Sequence, residues 1–295
     1  MRCLIALTLL TASHLATAET LTPAAPADTA AHVADLLARN QIEQAYETAV
    51  RWHESEPENA RAAYWAGNTA GQMAMRSGMF KAMGFAKESR KGLEQAVALD
   101  PKNVDAQYAL MQFYVMAPGV MGGDDEEAAA IAERIETLSA VEGLRAKAQL
   151  RLSEKDLEGY QRGNQEVLAL APAHRDALGA VLAGLLEKAD YDGAKVLLDK
   201  AREVDPNSVS VRYQYAKWAV MSGRELESGL AELDALIALP HYPDRFSLSA
   251  AHWRRAQLLA KLERKGDAIA AYEAALAVDP DFEEASQELE KLREG

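Results

Sequence analysis

The sequence predicts an all-α protein, an α-solenoid of about seven stacked helical hairpins that ends in a capping helix. The chain has 295 residues, of which 49% are hydrophobic and only 6% aromatic. This composition, rich in Ala, Leu and Glu, favours helices over sheets. Amphipathic runs end repeatedly at a proline, and the intervals Pro172 to Pro206 and Pro206 to Pro240 are both 34 residues. Because proline stops a helix, a fixed period that ends in proline indicates stacked hairpins.

The first 18 residues are predicted to be a secretory signal peptide. Arg2 provides a positive start, residues 4–10 form an apolar run, and Ala16 and Ala18 are the small residues that favour cleavage after Ala18. A buried first helix is the alternative, but the proline-containing residues 22–26 would continue such a helix poorly.

Cleavage defines the domain organisation that we expect. Residues 19–25 would form a short N-terminal linker, and residues 26–295 a single solenoid domain in a periplasmic or secreted protein. Cys3, the one cysteine of the chain, would leave with the signal peptide. Disulfide and thiol chemistry are therefore not expected in the mature protein.

The prolines also predict where each repeat begins. The predicted unit starts are Pro26, Ala60, Val104, Val141, Arg175, Val209 and Ser249. The repeats are looser over residues 26–140 and more regular over 141–282. The polar run at 282–293 is predicted to be a capping helix, which a solenoid needs at the open end of its core. Three intervals exceed 34 residues, so we predict insertions at Ser77–Phe85, Ala117–Gly123 and Pro240–Arg245.

The later units share an order of small and large residues before their prolines. These residues are Ala256, Ala268, Tyr272 and Ala275 before Pro280; Leu182, Ala194, Leu198 and Ala201 before Pro206; and Ala216, Ser228, Glu232 and Ala235 before Pro240. The order resembles the tetratricopeptide repeat (TPR) family, with small residues at positions 8, 20 and 27, a bulky one at 24 and proline at 32. Leu182 and Glu232 depart from it. The resemblance implies a right-handed solenoid with close helix packing at the small residues.

Charge and motifs exclude several classes of function. The chain has 32 Lys and Arg against 45 Asp and Glu, a formal net charge of −13, which disfavours binding to nucleic acid or to anionic membranes. No stretch after the signal is long and apolar enough to span a bilayer. No dinucleotide or phosphate-loop motif, no H-E-x-x-H motif and no pair of closely spaced histidines is present. We therefore expect no enzyme activity, no metal and no cofactor.

The glycine-rich turn at Gly119–Gly123 has two interpretations. Glycines that lead into a helix start expose backbone N–H groups, so the turn is either an anion-binding nest or a structural turn. The acidic residues 124–127 follow directly and would repel an anion, which favours the structural turn. These acids also lack the alternating spacing of a calcium loop.

The TPR resemblance also implies a set of groove residues. In that family the first helix of each hairpin lines a concave groove, and positions 5 and 9 commonly face it. The ligand-binding residues predicted in this way are Tyr64, Asn68, Tyr108, Gln112, Arg145, Gln149, Tyr213, Lys217, Trp253 and Gln257. Positions 5 and 9 lie on one helix face, so the stacked repeats would present rings beside amides. The fifth unit breaks this arrangement with Gly179 and Ala183, and the alternative is that the rings pack between hairpins.

The predicted function is a non-catalytic, exported scaffold that binds a protein or an extended peptide in its concave groove. The resemblance and the signal peptide together imply a role in cell-envelope assembly or organisation. Two alternatives remain open. The rings and amides could bind a glycan or a small ligand in the same groove. The chain could instead be a structural homo-oligomer that associates through the insertion containing Met79 and Met83.

Overall fold

The computed structural model describes residues 28–243 and 245–294. Within these ranges the chain forms fifteen α-helices, one short 3-10 helix (η1) and no strand. The helices are α1 (Thr29–Ala38), α2 (Ile42–Ser55), α3 (Ala60–Arg76), α4 (Met79–Leu99), α5 (Val104–Met116), η1 (Gly119–Met121), α6 (Asp125–Leu138), α7 (Ala140–Ser153), α8 (Leu157–Leu170), α9 (Arg175–Glu187), α10 (Tyr191–Val204), α11 (Val209–Ser222), α12 (Leu226–Ile237), α13 (Leu248–Lys261), α14 (Lys265–Val278) and α15 (Glu283–Glu294). The predicted signal peptide, the linker and the repeat start at Pro26 lie outside the described residues.

The described helices pair into seven hairpins, from α1–α2 to α13–α14, and α15 packs against α14 at the end of the array. The predicted α-solenoid with a capping helix is thereby confirmed. From the second hairpin onward, each first helix begins within one residue of its predicted start. Short polar side chains set these boundaries: Asn59, Asn103, Ser139 and Ser208 each accept a hydrogen bond from a backbone N–H of the helix that follows.

The small residues of the fifth and seventh hairpins pack as the repeat pattern predicts. Ala194 and Ala201 of the fifth hairpin are buried, as are Ala256, Ala268 and Ala275 of the seventh. Leu198 and Tyr272, at the bulky position, are buried between neighbouring helices. The alanines allow backbones to approach closely, and the large residue fills the remaining space.

In the sixth hairpin the repeat register differs from the prediction by one residue. The predicted Ser228 is exposed, whereas Gly229 is buried against Ala219. Because α11 is one residue longer than α9 of the preceding hairpin, every later position of this unit moves on by one. Leu233 therefore takes the bulky position that the pattern assigned to Glu232. Glu232 is instead partly buried and pairs with Arg202 and Arg212, which removes the apparent departure from the repeat.

The first insertion, Ser77–Phe85, lengthens two helices. Helices α3 and α4 have 17 and 21 residues, whereas the paired helices of hairpins four to seven have 12 to 14. The two long helices approach closely at glycines: a Cβ at Gly67 would lie 2.8 Å from the Leu93 nitrogen. The hairpin therefore extends beyond its neighbours at the turn between α3 and α4.

The second insertion, Ala117–Gly123, is a compact turn around η1. Gly122 has a φ of +96°, a conformation that favours glycine. The Asp124 side chain then accepts hydrogen bonds from the backbone N–H groups of Glu126 and Glu127 and caps α6. The first acid of the run thus satisfies helix N–H groups that an anion would have needed, in agreement with the structural interpretation.

The third insertion crosses the concave side of the solenoid. We call residues 239–243 and 245–247 the clasp loop. Tyr242 is buried and its backbone N–H donates to Oδ1 of Asp35 in α1 (3.3 Å), while the Arg39 guanidinium lies 5.0 Å from the Tyr242 ring centroid. Phe246 stacks on Tyr242 at 5.0 Å. The loop thereby joins the last hairpins to the first one.

Candidate functional site

Two cavities with different chemistry lie on the concave side. A polar chamber of about 820 Å³ lies beneath the clasp loop among hairpins three to seven, and Arg145 and Tyr213 of the predicted groove set line it. A mainly apolar groove of about 460 Å³ lies between hairpins two and three, and Asn68 and Gln112 of the predicted set line it. The predicted ladder of contacts is thus divided between two separate sites.

We call the second cavity the methionine groove. Its floor consists of small residues of α4, Ala82, Ala86 and Ser89. Met75 of α3 and Met116 of α5 form its sides, and their side chains are 76% and 63% exposed. Few polar groups line the groove. The amides of Asn68 and Gln112 lie one helical turn or more before Met75 and Met116 along α3 and α5.

Further exposed apolar side chains lie at the start of α4 and on η1, outside the lining of the methionine groove. Met79, Phe80 and Met83 lie at the start of α4, and Phe80 is 93% exposed. Val120 of η1 is also exposed, and η1 packs against α4. Contiguous exposed apolar side chains are unusual on a monomer surface and mark interaction sites. Methionine suits such a site because its side chain is flexible and polarisable.

The polar chamber is organised around a network of charged pairs. Arg145 is buried and pairs with Asp176 and with Glu142, at 2.6 Å from its Nε to Oε2 of Glu142. Arg245 of the clasp loop reaches the same Asp176 at 2.9 Å. Burial alone would raise the pKa of Asp176, but the charges of Arg245 and Arg145 outweigh it and hold this pKa below its ordinary value.

His174 completes this network from the start of α9. Its Nδ1 accepts a hydrogen bond from the Ala177 backbone N–H (3.3 Å), so Nε2 is the nitrogen that faces Oε1 of Glu142 at 3.1 Å as a donor. The hydrogen bond from His174 is the main reason that the pKa of Glu142 is lowered. The ring therefore caps a helix and positions a carboxylate, which are structural roles.

Two of the predicted ring positions belong to the hairpin interior. Tyr108 is buried in the core of hairpins two to four, and the Arg145 guanidinium lies 3.4 Å from its ring centroid. Burial raises the pKa of the Tyr108 hydroxyl. Tyr64 is half-buried, packs against the same core and contacts Trp65 edge-on at 5.4 Å. These two tyrosines therefore pack between hairpins, which is the alternative interpretation of the sequence.

The capping helix covers the predicted groove residues of the last hairpin. Trp253 Nε1 donates to Glu288 of α15 (3.1 Å), and its ring packs against Phe282 at 5.2 Å. The Gln257 amide donates to the same Glu288 carboxylate at 2.9 Å. Trp253 and Gln257 thus hold α15 in place, and we do not propose them as ligand contacts.

The remaining predicted residues, Tyr213, Lys217 and Gln149, are partly buried. Tyr213 lines the polar chamber beside Arg254 of α13; burial raises the pKa of Tyr213, and Arg254 opposes this shift. Burial, with a smaller effect of the Arg254 charge, lowers the pKa of Lys217. Gln149 is half-buried and lines neither cavity.

The sequence interpretation missed most of the residues of the methionine groove. Met75 lies at the end of α3, next to the predicted insertion, and Met116 lies at the end of α5, so the insertions interrupted the repeat register on which the prediction was based. The clasp loop was recognised only as an insertion. Its burial depends on α1, more than 200 residues earlier in the chain.

Among residues 28–243 and 245–294, no three His, Asp or Glu side chains are grouped as potential metal ligands. Over the same residues, none of the helices combines the length and the apolar character required to cross a bilayer.

Comparison with known proteins agrees with this architecture. Residues 249–282, which comprise most of α13 and all of α14, match the tetratricopeptide repeat family model. Among solved structures, the chain is similar to the APC/C hetero-tetramer Cut9-Hcn1 (TM-score 0.52, 14% identity, 88% of this chain and 48% of that chain). It is also similar to the human IFIT1 dimer with m7Gppp-AAAA (TM-score 0.54, 15% identity, 86% of this chain and 58% of that chain). No curated protein sequence matches the chain.

These findings define a TPR-type α-solenoid whose last hairpin carries the family's sequence pattern. The chain spans about half the length of each of these two solved chains. At these identities the similarity concerns the fold, and solenoids of this kind present extended surfaces suited to protein interaction.

Proposed function

We propose that this protein is a non-catalytic scaffold that binds a segment of a partner protein in the methionine groove. The observation that carries the proposal is the uncovered apolar cavity between hairpins two and three, with exposed Met75 and Met116 at its sides. Burial of such side chains against a partner stabilises a complex by about 25 cal/mol for each Å² removed from water. The Asn68 and Gln112 amides supply orientation, as the few polar groups of a mainly apolar site do.

The proposal includes export and a role in the organisation or assembly of a cell envelope. Its support is the signal-peptide pattern of residues 1–18 and the loss of Cys3 that cleavage would cause. A mature chain without cysteine is compatible with an oxidising compartment.

The experiment is affinity capture of cross-linked partners from the native compartment, with wild type compared with the double variant Asn68→Ala, Gln112→Ala. We expect one enriched protein, and its recovery should be about tenfold lower with the double variant than with wild type. The reason is that the variant removes the hydrogen bonds that the two amides would donate to or accept from the partner. Gln149→Ala is the matched control, since it removes the same kind of amide in the next hairpin but outside the groove. Equal recovery with all three proteins would contradict the proposed site.

The polar chamber favours a second candidate function, the binding of a small polar ligand. Its volume of about 820 Å³ lies within the range of ligand pockets. Its lining includes Tyr213, Tyr160 and Ser210, which offer rings and hydroxyls of the kind that a saccharide requires. Titration with purified envelope saccharides tests this function, and saturable binding that Tyr213→Ala weakens would support it.

A further inference from the structure

Two cationic side chains, Lys217 of α11 and Arg254 of α13, lie close to each other beside the polar chamber. Lys217 follows Tyr213 by four residues and Gln214 by three, so these side chains lie on one side of α11. Tyr213 and Gln214 line the chamber. Arg254 donates a hydrogen bond to the Tyr213 hydroxyl from the neighbouring helix. The cationic pair therefore adjoins the chamber at Tyr213.

Neither member of the cationic pair has a carboxylate partner. Within the described residues, no Asp or Glu forms an ion pair with Lys217 or Arg254, whereas the buried Arg145 pairs with two carboxylates. Glu288 of the capping helix contacts α13, but it accepts its hydrogen bond there from the uncharged Trp253. The chain has 45 Asp and Glu against 32 Lys and Arg, so a shortage of acids does not explain the unpaired cations.

The environment of Lys217 shows the cost of this arrangement. Burial lowers the pKa of Lys217, and the Arg254 charge lowers it further. A charge that is removed from water without a partner costs free energy, and a like charge nearby adds to that cost. An anion in contact with both side chains would oppose both effects. The pair therefore destabilises the free protein and would stabilise a complex with an anion.

The preceding first helix, α9, leaves space for a ligand next to the pair. At the repeat positions of Tyr213 and Lys217 it has Gly179 and Ala183, and Ala183 is exposed. A Cβ at Gly179 would have one neighbouring side-chain atom, Nε2 of Gln214 at 3.2 Å. The other amide atom, Oε1 of Gln214, is buried and has no hydrogen-bond partner in the part of the chain that the structure describes. A hydrogen-bond acceptor thus lies near the two cations.

The Arg254 guanidinium has a fixed orientation. It lies 4.0 Å from the Trp253 ring centroid and donates to Oε1 of Gln257 at 2.7 Å. A guanidinium held in this way binds carboxylate or phosphate oxygens with little further loss of side-chain entropy. Because the Tyr213 hydroxyl accepts from Arg254, its own proton can be donated to the same anion.

We infer that Lys217, Arg254 and the Tyr213 hydroxyl bind the anionic group of a small hydroxylated ligand, a sugar acid or a sugar phosphate. The inference rests on the second candidate function, the binding of a small polar ligand in the chamber, and names the chemical class of that ligand. The carboxylate or phosphate contacts the cationic pair. The sugar ring occupies the space beside Gly179, where one of its hydroxyls donates to Oε1 of Gln214.

The test is calorimetric titration of the full chain with glucose, glucuronate and glucose 6-phosphate at constant ionic strength. The three probes share one type of sugar ring, and the two acids distinguish recognition of a carboxylate from recognition of a phosphate. We expect at least one acid to bind about tenfold or more tightly than glucose, because hydrogen bonds between charged groups are stronger than neutral ones. Lys217→Met should remove this preference.

Matched variants separate ligand contact from net charge and from folding. Lys200→Met removes one positive charge from an exposed position of α10 and should leave all three affinities unchanged. Ala183→Glu places a carboxylate on α9 at the repeat position of Lys217 and should weaken the acids, whereas Ala183→Gln, of the same size, should weaken them less. Lys217→Met should not lower the thermal midpoint of the free protein, because it removes a desolvated, unpaired charge.

Four results would overturn the inference. Equal affinity for glucose and both acids would remove the role of the anion and leave the second candidate function in place. Binding of none of the three probes would contradict that function as well. An equal loss of affinity in Lys200→Met and Lys217→Met would reduce the effect to net charge. Binding of a peptide with a free C-terminal carboxylate, but not of its amide or of either acid, would assign the cationic pair to a protein partner.

Discussion

Single residues in left-handed conformation form the turns of hairpins one, four, five and seven. Asn40, Lys155, Ala189 and Glu263 all have φ between +55° and +64° and stand two positions before the second helix of their hairpins. Asparagine tolerates this conformation, whereas a residue with an ordinary Cβ is strained in it. The hairpins thus close tightly at a local cost in conformational energy.

Ala189→Gly should therefore stabilise the protein by about 0.5–1 kcal/mol, since relief of the left-handed strain exceeds the added chain entropy of glycine. Denaturant unfolding followed by circular dichroism measures the change. Ala183→Gly is the matched control, because the same substitution in the exposed interior of α9 should destabilise by about 1 kcal/mol. Destabilisation by both variants would show that the turn is not strained.

At the scale of elements, the second hairpin depends on the close crossing of α3 and α4. Gly67→Ala should destabilise the protein by about 1–3 kcal/mol, because a Cβ there meets backbone atoms of Ser89 and Leu93 at 2.8–2.9 Å. Gly84→Ala in α4 has no atom within 4 Å of its new Cβ and should stabilise by about 1 kcal/mol. Thermal unfolding of both variants tests the crossing, and a neutral Gly67→Ala would disprove it.

The capping helix gives Trp253 a structural role that differs from the groove role predicted from sequence. Trp253→Ala should destabilise by about 2 kcal/mol, since the ring is half-buried against Phe282 and its N–H loses Glu288. Leu170→Ala, an exposed apolar residue of α8, should change the free energy of unfolding by less than about 0.5 kcal/mol. Unchanged stability of Trp253→Ala would return this ring to the candidate ligand contacts.

The prolines and small residues predicted the elements well because both act locally. Proline ends a helix wherever it stands, and an alanine such as Ala268 meets its neighbour at a fixed place in each hairpin. The sixth hairpin was misregistered because one added residue in α11 leaves the 34-residue proline interval intact. The conformation of the first insertion was not predicted, since its Gly and Met residues are compatible with a loop as well as with longer helices.

The candidate site was less predictable than the fold. The family pattern proposed equivalent roles for Asn68, Gln112 and Gln257, but the partner of each depends on what covers it. Gln257 contacts the capping helix, whereas Asn68 and Gln112 line the methionine groove. These contacts join separate elements, so a periodic pattern along one helix does not specify them.

At the scale of the whole molecule, the clasp loop holds the two ends of the solenoid together. Ala38 of α1 is buried in the same cluster as Tyr242 and the last hairpins. Burial would raise the pKa of Asp35, but the hydrogen bonds from Arg39 and from the Tyr242 N–H outweigh it, so that the pKa is lowered. Tyr242→Ala should therefore open the array and increase the radius of gyration measured by small-angle X-ray scattering.

The lowered pKa values of Asp35 and Asp176 also predict a pH dependence. A carboxyl whose pKa is lower in the folded state stabilises the fold above its ordinary pKa, here 3.8, and loses this contribution as the pH falls through the lowered value. Stability should thus decrease as the pH is reduced below about 4. Asp176→Asn should be less stable at pH 7 and lose less on acidification; an identical loss in the variant would show that Asp176 is not responsible.

The central claim is that a partner occupies the methionine groove in the cell. The most direct test places the photo-cross-linker benzoylphenylalanine at position 75, where Met75 lines the groove and is exposed, and at position 196 on α10, where Val196 is exposed, as a control. The account predicts one discrete protein adduct at position 75 after irradiation of living cells, and none at position 196. No adduct at position 75, or the same adduct at both positions, would contradict it.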